Sequence, residues 1–511
     1  MPKMKMPERK KGKEHEKGIL TIPDLDQTKN VHSHQKNAGL FSEIKNALLS
    51  SRYLQILLVL IFIAAVLRLY ALDLSPLWLD EALTYRWSLH PFSEYWGLIS
   101  TGGEVSPPLF YWMEYAMLSF GHTEITLRLL PAVFGILTVP VVYYLGSYAV
   151  DRNAGLLAAA LIAFSPFHLF YSQEARMYSL MLFFLACALL FFFRAVKEED
   201  VRWWLVFGLF SGLAFWTHFY SGLLIAGVYI WHLGMSLKRK VKLSQLKGVA
   251  CSLAILVVIC LPLLVISLGS MVRMTSRAPT WGNRGFEVLT TTLSHFSGYS
   301  APIAVIFIAL FFIGMYMIWL TKQDTCSLFA WLFILFLGGN VALSYFMPMA
   351  PRYFIGILPV FFIGIASSYL ALTRFVPDRR IIYLCLVLIV LVSVPGLLHH
   401  YTVVEKEDWR YVSDLLAQST RPGDTVVVMP AYMTNPFDFY YDNVTDGTRK
   451  LGLSNAEGLH SLLTQKQEEK IFIAFTDDLN AADPSGEAIQ WMKEHAQFAG
   501  NQRGVYVFVV V

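Results

Sequence analysis

The chain contains a long series of apolar segments, and their lengths decide what kind of structure it can form. Eleven of them approach the ~20 residues that a helix needs to cross the hydrocarbon core of a membrane. The composition agrees, because 55% of the 511 residues are hydrophobic and only 15% are charged. The sequence therefore predicts an α-helical polytopic membrane protein. The predicted spans are 54–72, 129–149, 155–171, 178–194, 203–217, 220–237, 249–269, 301–320, 327–346, 354–373 and 381–397.

The charged residues between these segments predict the orientation. The N-terminal tail and the loops DRNAG, RAVKEEDVR, LKRKVKLSQLK, TKQDT and TRFVPDRR hold many of the Lys and Arg residues, which favour the cytoplasmic side, and LKRKVKLSQLK is the most basic of these loops. The apolar stretch 107–122 is interpreted as an interfacial helix, because counting it as a span would place LKRKVKLSQLK outside. We therefore expect a multi-pass plasma-membrane protein with a cytoplasmic N-terminus. The net charge of +4 reports this topology, and no nucleic-acid partner is predicted.

Composition divides the chain into three predicted regions. Residues 1–50 form a basic, polar tail that is expected to be disordered and cytoplasmic. Residues 51–397 form the transmembrane domain. From 398 to 511 the pattern changes to amphipathic helices and short strands such as TVVVMP and KIFIAFTD, which predicts a small extracytoplasmic α/β domain. This last region has no Gly-rich phosphate loop, so nothing in it indicates nucleotide binding.

Two adjacent carboxylates, Asp80 and Glu81, follow the first span in the stretch LSPLWLDEALTY. A pair of acids just outside a membrane is usually only solvated. Here, however, ionisable residues of both signs and a histidine recur at the outer ends of other spans, which indicates an outward-facing cavity for a charged ligand. Arginine suits a phosphate at headgroup depth, and a carboxylate beside it suits a base that takes a proton from a hydroxyl. The recurring residues are Arg128, Glu174, Arg176, His218 and Arg352.

Several motifs together resemble one enzyme family. They are LWLDEALT, SPPLFYW, TLRLLPAVFGILTVPVVYYLG, SPFHLFYSQEARMYSLMLFF, PRYFIGILPV and a closing DWR…RPGD. They are similar to the membrane glycosyltransferases of family 39, which include protein O-mannosyltransferases and the bacterial aminoarabinose and Rgt-type transferases. All of these have the C-type (GT-C) membrane fold. The resemblance runs from about residue 50 to 430.

The resemblance implies a donor, a reaction and roles for several residues. The donor would be a polyprenyl-phosphate monosaccharide held in the membrane lipid, and the anomeric centre would be inverted. The first acidic residue of the outer loop, Asp80, would be the catalytic base, with Glu81 beside it in the acceptor or metal region. Some members place a divalent metal near these acids and others work without one, so both remain open. This chain has Ser106 where many relatives have His or Lys, and no ligand role is transferred to it.

Most of the predicted substrate-binding residues also have a simpler structural explanation. The arginines would stabilise the departing lipid phosphate. Structural pairing of Arg128 and Arg176 with Glu124 and Glu174 is the alternative for them. His218 could simply satisfy a helix-end carbonyl, and Tyr178 could simply pack. The predicted substrate-binding residues are Arg128, Glu174, Arg176, Tyr178, His218 and Arg352.

Two other functions are compatible with the same residues. A transporter or flippase of a lipid-linked anionic substrate would also hold charged residues in a cavity, although its site should lie near the membrane midplane. A glycan polymerase or ligase would share the fold and the outward-facing acids. The acceptor of a transferase is open among a protein hydroxyl, a lipid and a growing polysaccharide.

Overall fold

The computed structural model describes residues 51–101, 106–238, 243–275, 282–373, 375–441, 447–463 and 470–510. The predicted tail, 1–50, lies outside the described residues. All the regular elements of the membrane part that the structure describes are helical. The helices are α1 (Arg52–Leu69), α2 (Leu79–Ser88), α3 (Phe92–Thr101), α4 (Leu109–Met117), α5 (Glu124–Ala149), α6 (Arg152–Phe164), α7 (Pro166–Ser172), α8 (Tyr178–Glu198), α9 (Val201–Thr217), α10 (Ser221–Lys238), α11 (Leu243–Thr275), α12 (Phe286–Phe296), α13 (Ala301–Thr321), α14 (Gln323–Leu343), α15 (Leu358–Ser367), α16 (Tyr369–Leu372) and α17 (Asp378–Thr402).

Each predicted span falls on helical residues, but 155–171 is divided between α6 and α7, and 354–373 lies on a segment, Pro351–Leu372, in which a 3-10 helix precedes α15 and α16. Fewer of these helical segments than predicted are long and apolar enough to cross a membrane. Among the described residues eight helices meet that requirement, or nine if the bent pair α6 and α7 is counted as one span. Helix α9 has only 17 residues, and the polar residues of α10, such as His232 and Lys238, lower its hydropathy. Helix α4, within the stretch predicted as interfacial, has nine residues and is too short to span.

The bend between α6 and α7 measures 60° and begins at Pro166. Proline lacks an N–H group, so it cannot continue the hydrogen-bond ladder of the preceding helix. The buried Arg68 side chain satisfies carbonyls left at that helix end, donating to Ile162 at 2.9 Å and Ala163 at 3.1 Å. The bend directs the loop after α7 toward the first turn of α2, since Ala175 in this loop bonds to Glu81.

The C-terminal part of the chain forms a five-stranded mixed sheet with helices on both faces, which we call the C-terminal domain. The strand order is β2-β1-β3-β5-β4, with β1 parallel to β2 and β3, and β5 antiparallel to β3 and β4. This confirms the predicted small α/β fold. Its elements are α18 (Trp409–Ser419), β1 (Thr425–Met429), α19 (Thr434–Tyr441), β2 (Arg449–Gly452), α20 (Ala456–Leu463), β3 (Ile471–Thr476), α21 (Leu479–Ala482), α22 (Glu487–His495), β4 (Ala496–Gln502) and β5 (Val505–Val510).

Helix α2 lies between the membrane helices and the C-terminal domain. Its first residue, Leu79, packs on the buried cluster of the domain that contains Trp409 and Phe437. On the next turns, the ring of Tyr85 contacts Phe439 edge to face, with centroids 4.9 Å apart. The short helix that carries both predicted acids is therefore held by the C-terminal domain as well as by the membrane part.

Candidate active site

Asp80 and Glu81 lie in the first turn of α2, where the positive end of the helix dipole favours carboxylates. Consecutive residues on a helix point about 100° apart, so the two acids face different surroundings. Glu81 is fully buried, whereas the Asp80 side chain retains 19% of its exposure. The two neighbours thus have different environments, although the sequence predicted both as catalytic.

Glu81 is held by charged and backbone donors on all sides. The Arg128 guanidinium makes a bidentate pair with it, with both N···O distances 2.7 Å. Lys406 Nζ lies 2.7 Å from Oε2, and the Ala175 N–H donates to Oε1 at 2.9 Å. Burial raises the pKa of Glu81, but the two cations outweigh it and lower the pKa to about 2. Glu81 is therefore an ionised carboxylate whose two oxygens are both occupied by the chain.

Arg128 uses all five of its N–H groups within the protein. Besides the pair with Glu81, its guanidinium donates to the carbonyl oxygens of Leu72 and Ser75 at 2.7 Å and of Pro76 at 3.2 Å. An arginine has five donors, so this set exhausts them. The side chain is 1% exposed. Arg128 thus ties the segment before α2 to the start of α5, and the alternative partner suggested by the sequence, Glu124, pairs elsewhere.

Asp80 faces the other two arginines of the predicted set. Its Oδ2 lies 3.3 Å from an Arg352 terminal nitrogen and 3.9 Å from Arg176 Nε. Arg176 also donates to the Asp80 carbonyl at 3.2 Å and to the Thr84 hydroxyl at 3.3 Å. The two guanidinium groups therefore flank a carboxylate that is still partly accessible. Arg176 does not form the predicted pair with Glu174.

Aromatic rings surround the Arg352 guanidinium. Its Cζ lies within 6 Å of the ring centroids of Trp78, Tyr178 and Tyr353, a distance at which cation–π attraction operates. Tyr353 in turn stacks on Tyr220, with centroids 4.8 Å apart. These rings form an apolar wall with hydroxyl groups around a fixed positive charge, which suits a ligand that is both anionic and amphipathic.

His218 lies at the end of α9 against two of these rings. Its ring centroid is 5.8 Å from that of Tyr178 and 5.6 Å from that of Tyr353. Nδ1 accepts a hydrogen bond from the Tyr220 backbone N–H at 3.2 Å, so this nitrogen contacts a donor and not the helix-end carbonyl considered from the sequence. Burial, with smaller contributions from Arg176 and Arg352, lowers the pKa of His218 to about 3. The imidazole is therefore neutral.

Glu174 follows the bent helix and is 1% exposed. Within the part of the chain that the structure describes, neither of its carboxylate oxygens has a hydrogen-bond partner. Burial raises its pKa to about 7, with Lys406 acting in the opposite direction. Glu174 therefore adds a carboxyl group that changes its charge near neutral pH beside Glu81 and Asp80.

The structure brings the eight predicted site residues into one continuous cluster, and it adds Lys406, which sequence reasoning missed. Lys406 stands in EKEDWR, where alternating charges look like the solvated start of an amphipathic helix. Glu124, the other partner considered from the sequence, pairs with Arg410 at 2.6 Å and accepts from the Tyr440 hydroxyl at 2.9 Å. No spacing in the sequence indicates that Lys406 pairs with Glu81 beside Asp80, or that Arg410 pairs with Glu124.

Two of the three carboxylates in this cluster, Asp80 and Glu81, are matched with cationic side chains, and only Glu174 lacks such a pair among the described residues. Glu81 is coordinated by Arg128 and Lys406, and Asp80 faces Arg176 and Arg352. A divalent cation needs carboxylate oxygens that are not held by competing positive charges. Among the described residues, no group of three or more His, Cys, Asp or Glu is arranged to hold a metal. The side chains of this cluster therefore do not fit a divalent cation, and no catalytic step is assigned to a metal ion.

Comparison with known proteins gives one family match and several shared folds. Residues 105–266 match the family described as dolichyl-phosphate-mannose-protein mannosyltransferase. No curated protein matches the chain significantly. Among solved structures, ArnT from Cupriavidus metallidurans bound to undecaprenyl phosphate is 14% identical, with a TM-score of 0.56 over 90% of this chain and 97% of ArnT.

A second similar structure is the archaeal oligosaccharyltransferase AglB from Archaeoglobus fulgidus in complex with an inhibitory peptide and a dolichol-phosphate. It is 11% identical, and the TM-score is 0.53 over 91% of this chain and 75% of AglB. The oligosaccharyltransferase from the same organism in complex with Zn and sulfate is 12% identical, with a TM-score of 0.54 over 89% of this chain and 72% of that one. The shared fold confirms the predicted GT-C architecture, and the match over residues 105–266 agrees with the resemblance of the motifs to membrane glycosyltransferases.

Proposed function

We propose that the protein transfers a monosaccharide from a polyprenyl-phosphate-linked donor to an acceptor hydroxyl, with inversion at the anomeric carbon. The observation that carries this proposal is the placement of a partly accessible carboxylate, Asp80, beside two guanidinium groups, 3.3 Å from Arg352 and 3.9 Å from Arg176. A transfer from a lipid phosphate needs these two functions next to each other: a base for the acceptor and cations for the leaving group.

The arginines suit the phosphate of the donor. A guanidinium stays charged when it is partly buried and binds phosphate through a fixed fork of donors. Arg352 stands at the start of a span-length segment, Pro351–Leu372, so it lies where a lipid headgroup meets the hydrocarbon region. Two similar structures contain a bound polyprenyl phosphate, undecaprenyl phosphate in ArnT and dolichol-phosphate in AglB, which supports the same class of donor here.

The proposed reaction is a single displacement. Asp80 accepts the proton of the acceptor hydroxyl while that oxygen forms a bond to C1 of the sugar. The bond from C1 to the phosphate oxygen breaks, and its electron pair leaves with the polyprenyl phosphate. Arg352 and Arg176 stabilise the negative charge that develops on this phosphate. Because the nucleophile and the leaving group lie on opposite sides of C1, the configuration is inverted.

Glu81 and Arg128 are assigned to positioning, which differs from the catalytic and substrate-binding roles predicted from the sequence. Both are buried, and their polar atoms are taken up by each other, by Lys406 and by backbone groups. Their bidentate pair connects α2 to α5 and so fixes the direction in which Asp80 points. Positioning a catalytic group within a fraction of an ångström is itself a large contribution to rate.

The side of the membrane follows from the charge pattern. The basic loops predict a cytoplasmic N-terminus, and alternating sides along the spans then places Asp80 and the C-terminal domain outside. We propose that the reaction takes place at the outer face of the plasma membrane, in the assembly of a cell-envelope glycan or glycoprotein.

The proposal is tested with purified protein in detergent and a panel of radiolabelled polyprenyl-phosphate sugars. One donor is expected to be hydrolysed slowly without acceptor and rapidly when solubilised membranes supply an acceptor. The readouts are released polyprenyl phosphate and the anomeric configuration of the product. Absence of turnover with every donor, for folded protein with membranes present, would contradict the proposal. Retention of the donor's configuration would contradict the single displacement.

Replacing Arg352 with methionine is expected to weaken the use of the donor. The variant keeps an unbranched side chain that can pack on the rings but loses the guanidinium beside Asp80 and its cation–π contacts. A charge-assisted hydrogen bond contributes about 1.5–3 kcal/mol, which corresponds to a KM for the donor raised roughly 10- to 100-fold. A donor titration at saturating acceptor measures it. An unchanged donor KM would rule out Arg352 as a phosphate ligand.

Metal chelation is expected to leave the activity unchanged. The Glu81 oxygens accept from Arg128, Lys406 and Ala175, so they offer no site for a divalent cation. Transfer rates measured in EDTA, and after addition of Mg²⁺, Mn²⁺ or Zn²⁺, should agree within about twofold, since a hard cation needs several oxygen ligands of its own. Loss of activity in EDTA that one metal restores would show that the donor set has been assigned wrongly.

A further inference from the structure

Lys406 lies in the short segment between the last long apolar helix, α17, and the C-terminal domain. Its Nζ is 2.7 Å from Glu81 Oε2, and only 14% of its side chain is exposed. The ammonium also lies 5.9 Å from the ring centroid of Trp78 and 5.6 Å from that of Phe170. A linker lysine would normally be solvated, because burying an ammonium is costly unless it is paired. Its burial against Glu81 therefore needs an explanation.

The contacts of Lys406 differ from those expected of a phosphate ligand. Its ammonium is hydrogen-bonded to Glu81, which is the carboxylate turned away from Arg352, whereas Asp80 faces Arg352 and Arg176. Glu81 already has a bidentate partner in Arg128, so Lys406 is a second cation, which binds Glu81 Oε2. The lysine is thus placed to fix Glu81.

Other residues around the C-terminal domain hold the same helix. The Tyr440 hydroxyl accepts from the Leu77 N–H at 2.8 Å, just before α2. At the other end of that helix, Arg86 donates to the Asn435 side chain at 2.8 Å. The C-terminal domain therefore holds α2 near both of its ends, and Arg128 holds its first turn through Glu81.

We infer that Lys406 is a positioning residue, which sets the direction of Asp80 through Glu81 and makes the segment leading into the C-terminal domain part of the catalytic apparatus. This inference rests on the proposed function. Removal of the lysine leaves Glu81 with a single cation and frees the first turn of α2 to shift. A misplacement of about 1 Å at a reacting group can reduce the rate 100-fold, even though no substrate contact is lost.

The test is a double-mutant cycle of Lys406→Met, Glu81→Gln and the double variant, with Lys406→Arg as the conservative change. Lys406→Met is expected to lower kcat about 10- to 100-fold while the donor KM stays within about twofold. Lys406→Arg should recover part of kcat. In the Glu81→Gln background, Lys406→Met should change kcat less than about twofold, because Lys406 then has no carboxylate to position. Lys450→Met is the control, since Lys450 pairs with Asp438 at 3.0 Å on the surface of the domain.

The cycle also has a readout that does not require activity. Glu81→Gln leaves the buried Lys406 ammonium without its carboxylate, so adding Lys406→Met should raise Tm by at least about 2 °C instead of lowering it. Lys406→Gln replaces the methionine variant if the latter does not fold. Two results would overturn the inference. One is a Lys406→Met variant with a raised donor KM and a normal kcat. The other is a Lys406→Met substitution that lowers kcat as much in the Glu81→Gln background as in the wild type. If the wild type is inactive but Lys406→Met raises Tm in the Glu81→Gln background, the result contradicts the proposed function and supports the link between Lys406 and Glu81.

Discussion

Asp80→Asn protein is expected to fold like the wild type and to lose nearly all transfer activity. Asparagine has the same shape and is accepted in the first turn of a helix, but it cannot take up the proton of the acceptor hydroxyl. General-base catalysis typically contributes 10²- to 10⁴-fold, so kcat should fall by about that factor. The measurement is release of polyprenyl phosphate from the radiolabelled donor, together with the Tm of both proteins.

Asp438→Asn serves as the matched control for this experiment. Asp438 is an exposed aspartate of the C-terminal domain that pairs with Lys450. Its replacement should leave both the rate and Tm near those of the wild type, since an exposed pair contributes at most about 1 kcal/mol. Asp80→Asn protein that retained wild-type kcat would end the assignment of Asp80 as the base.

Arg128→Met protein is expected to lose about 3–5 kcal/mol of stability, the cost typical of removing one partner of a buried ion pair. Two effects act together. Glu81 keeps only one of its two cations, and the carbonyl groups of Leu72, Ser75 and Pro76 lose their donor. Arg128→Lys should recover only a minor part, because an ammonium cannot reproduce the bidentate fork. Thermal unfolding in detergent measures both variants.

The control for Arg128 is an arginine with an exposed side chain that forms an ion pair of similar length. Arg202 lies 2.8 Å from Asp200, but its side chain is 85% exposed. Water already solvates both groups there, so Arg202→Met should change stability by less than about 1 kcal/mol. Equal losses from the two substitutions would mean that burial is not the reason for the effect at Arg128.

The sequence alone predicted that certain residues far apart in the chain lie close together in space. Asp80, Arg176 and Arg352 lie near the ends of different apolar segments, and charged groups beside a membrane are retained mainly where they have a use or a partner. Placing the spans therefore placed these residues at one end of the helix bundle. Hydropathy and strand patterns also predicted the helical membrane part and the small α/β fold of the C-terminal part, but they predicted eleven spans where the described residues contain eight or nine.

The roles within the cluster could not be read from the pattern. Asp80 and Glu81 are adjacent, and only the packing of α2 decides which of them faces Arg128 and which faces Arg352. The bend at Pro166 is a second case, because a run that looks like one span is divided by a change of direction that hydropathy does not detect. Lys406 is a third, since its partner is distant in sequence and its neighbours are typical of a solvated segment.

The pair formed by Glu81 and Lys406 also bears on how the protein is made. The two residues are 325 positions apart, so the carboxylate is synthesised long before its second cation. By the time Lys406 leaves the ribosome, all the long apolar helices have already been translated. Until Lys406 has been synthesised, Arg128 is the one cation among the described residues of this site that can pair with Glu81. Synthesis thus orders the two events: the long apolar helices come first, and the lysine that completes the charged cluster around Glu81 comes with the last quarter of the polypeptide.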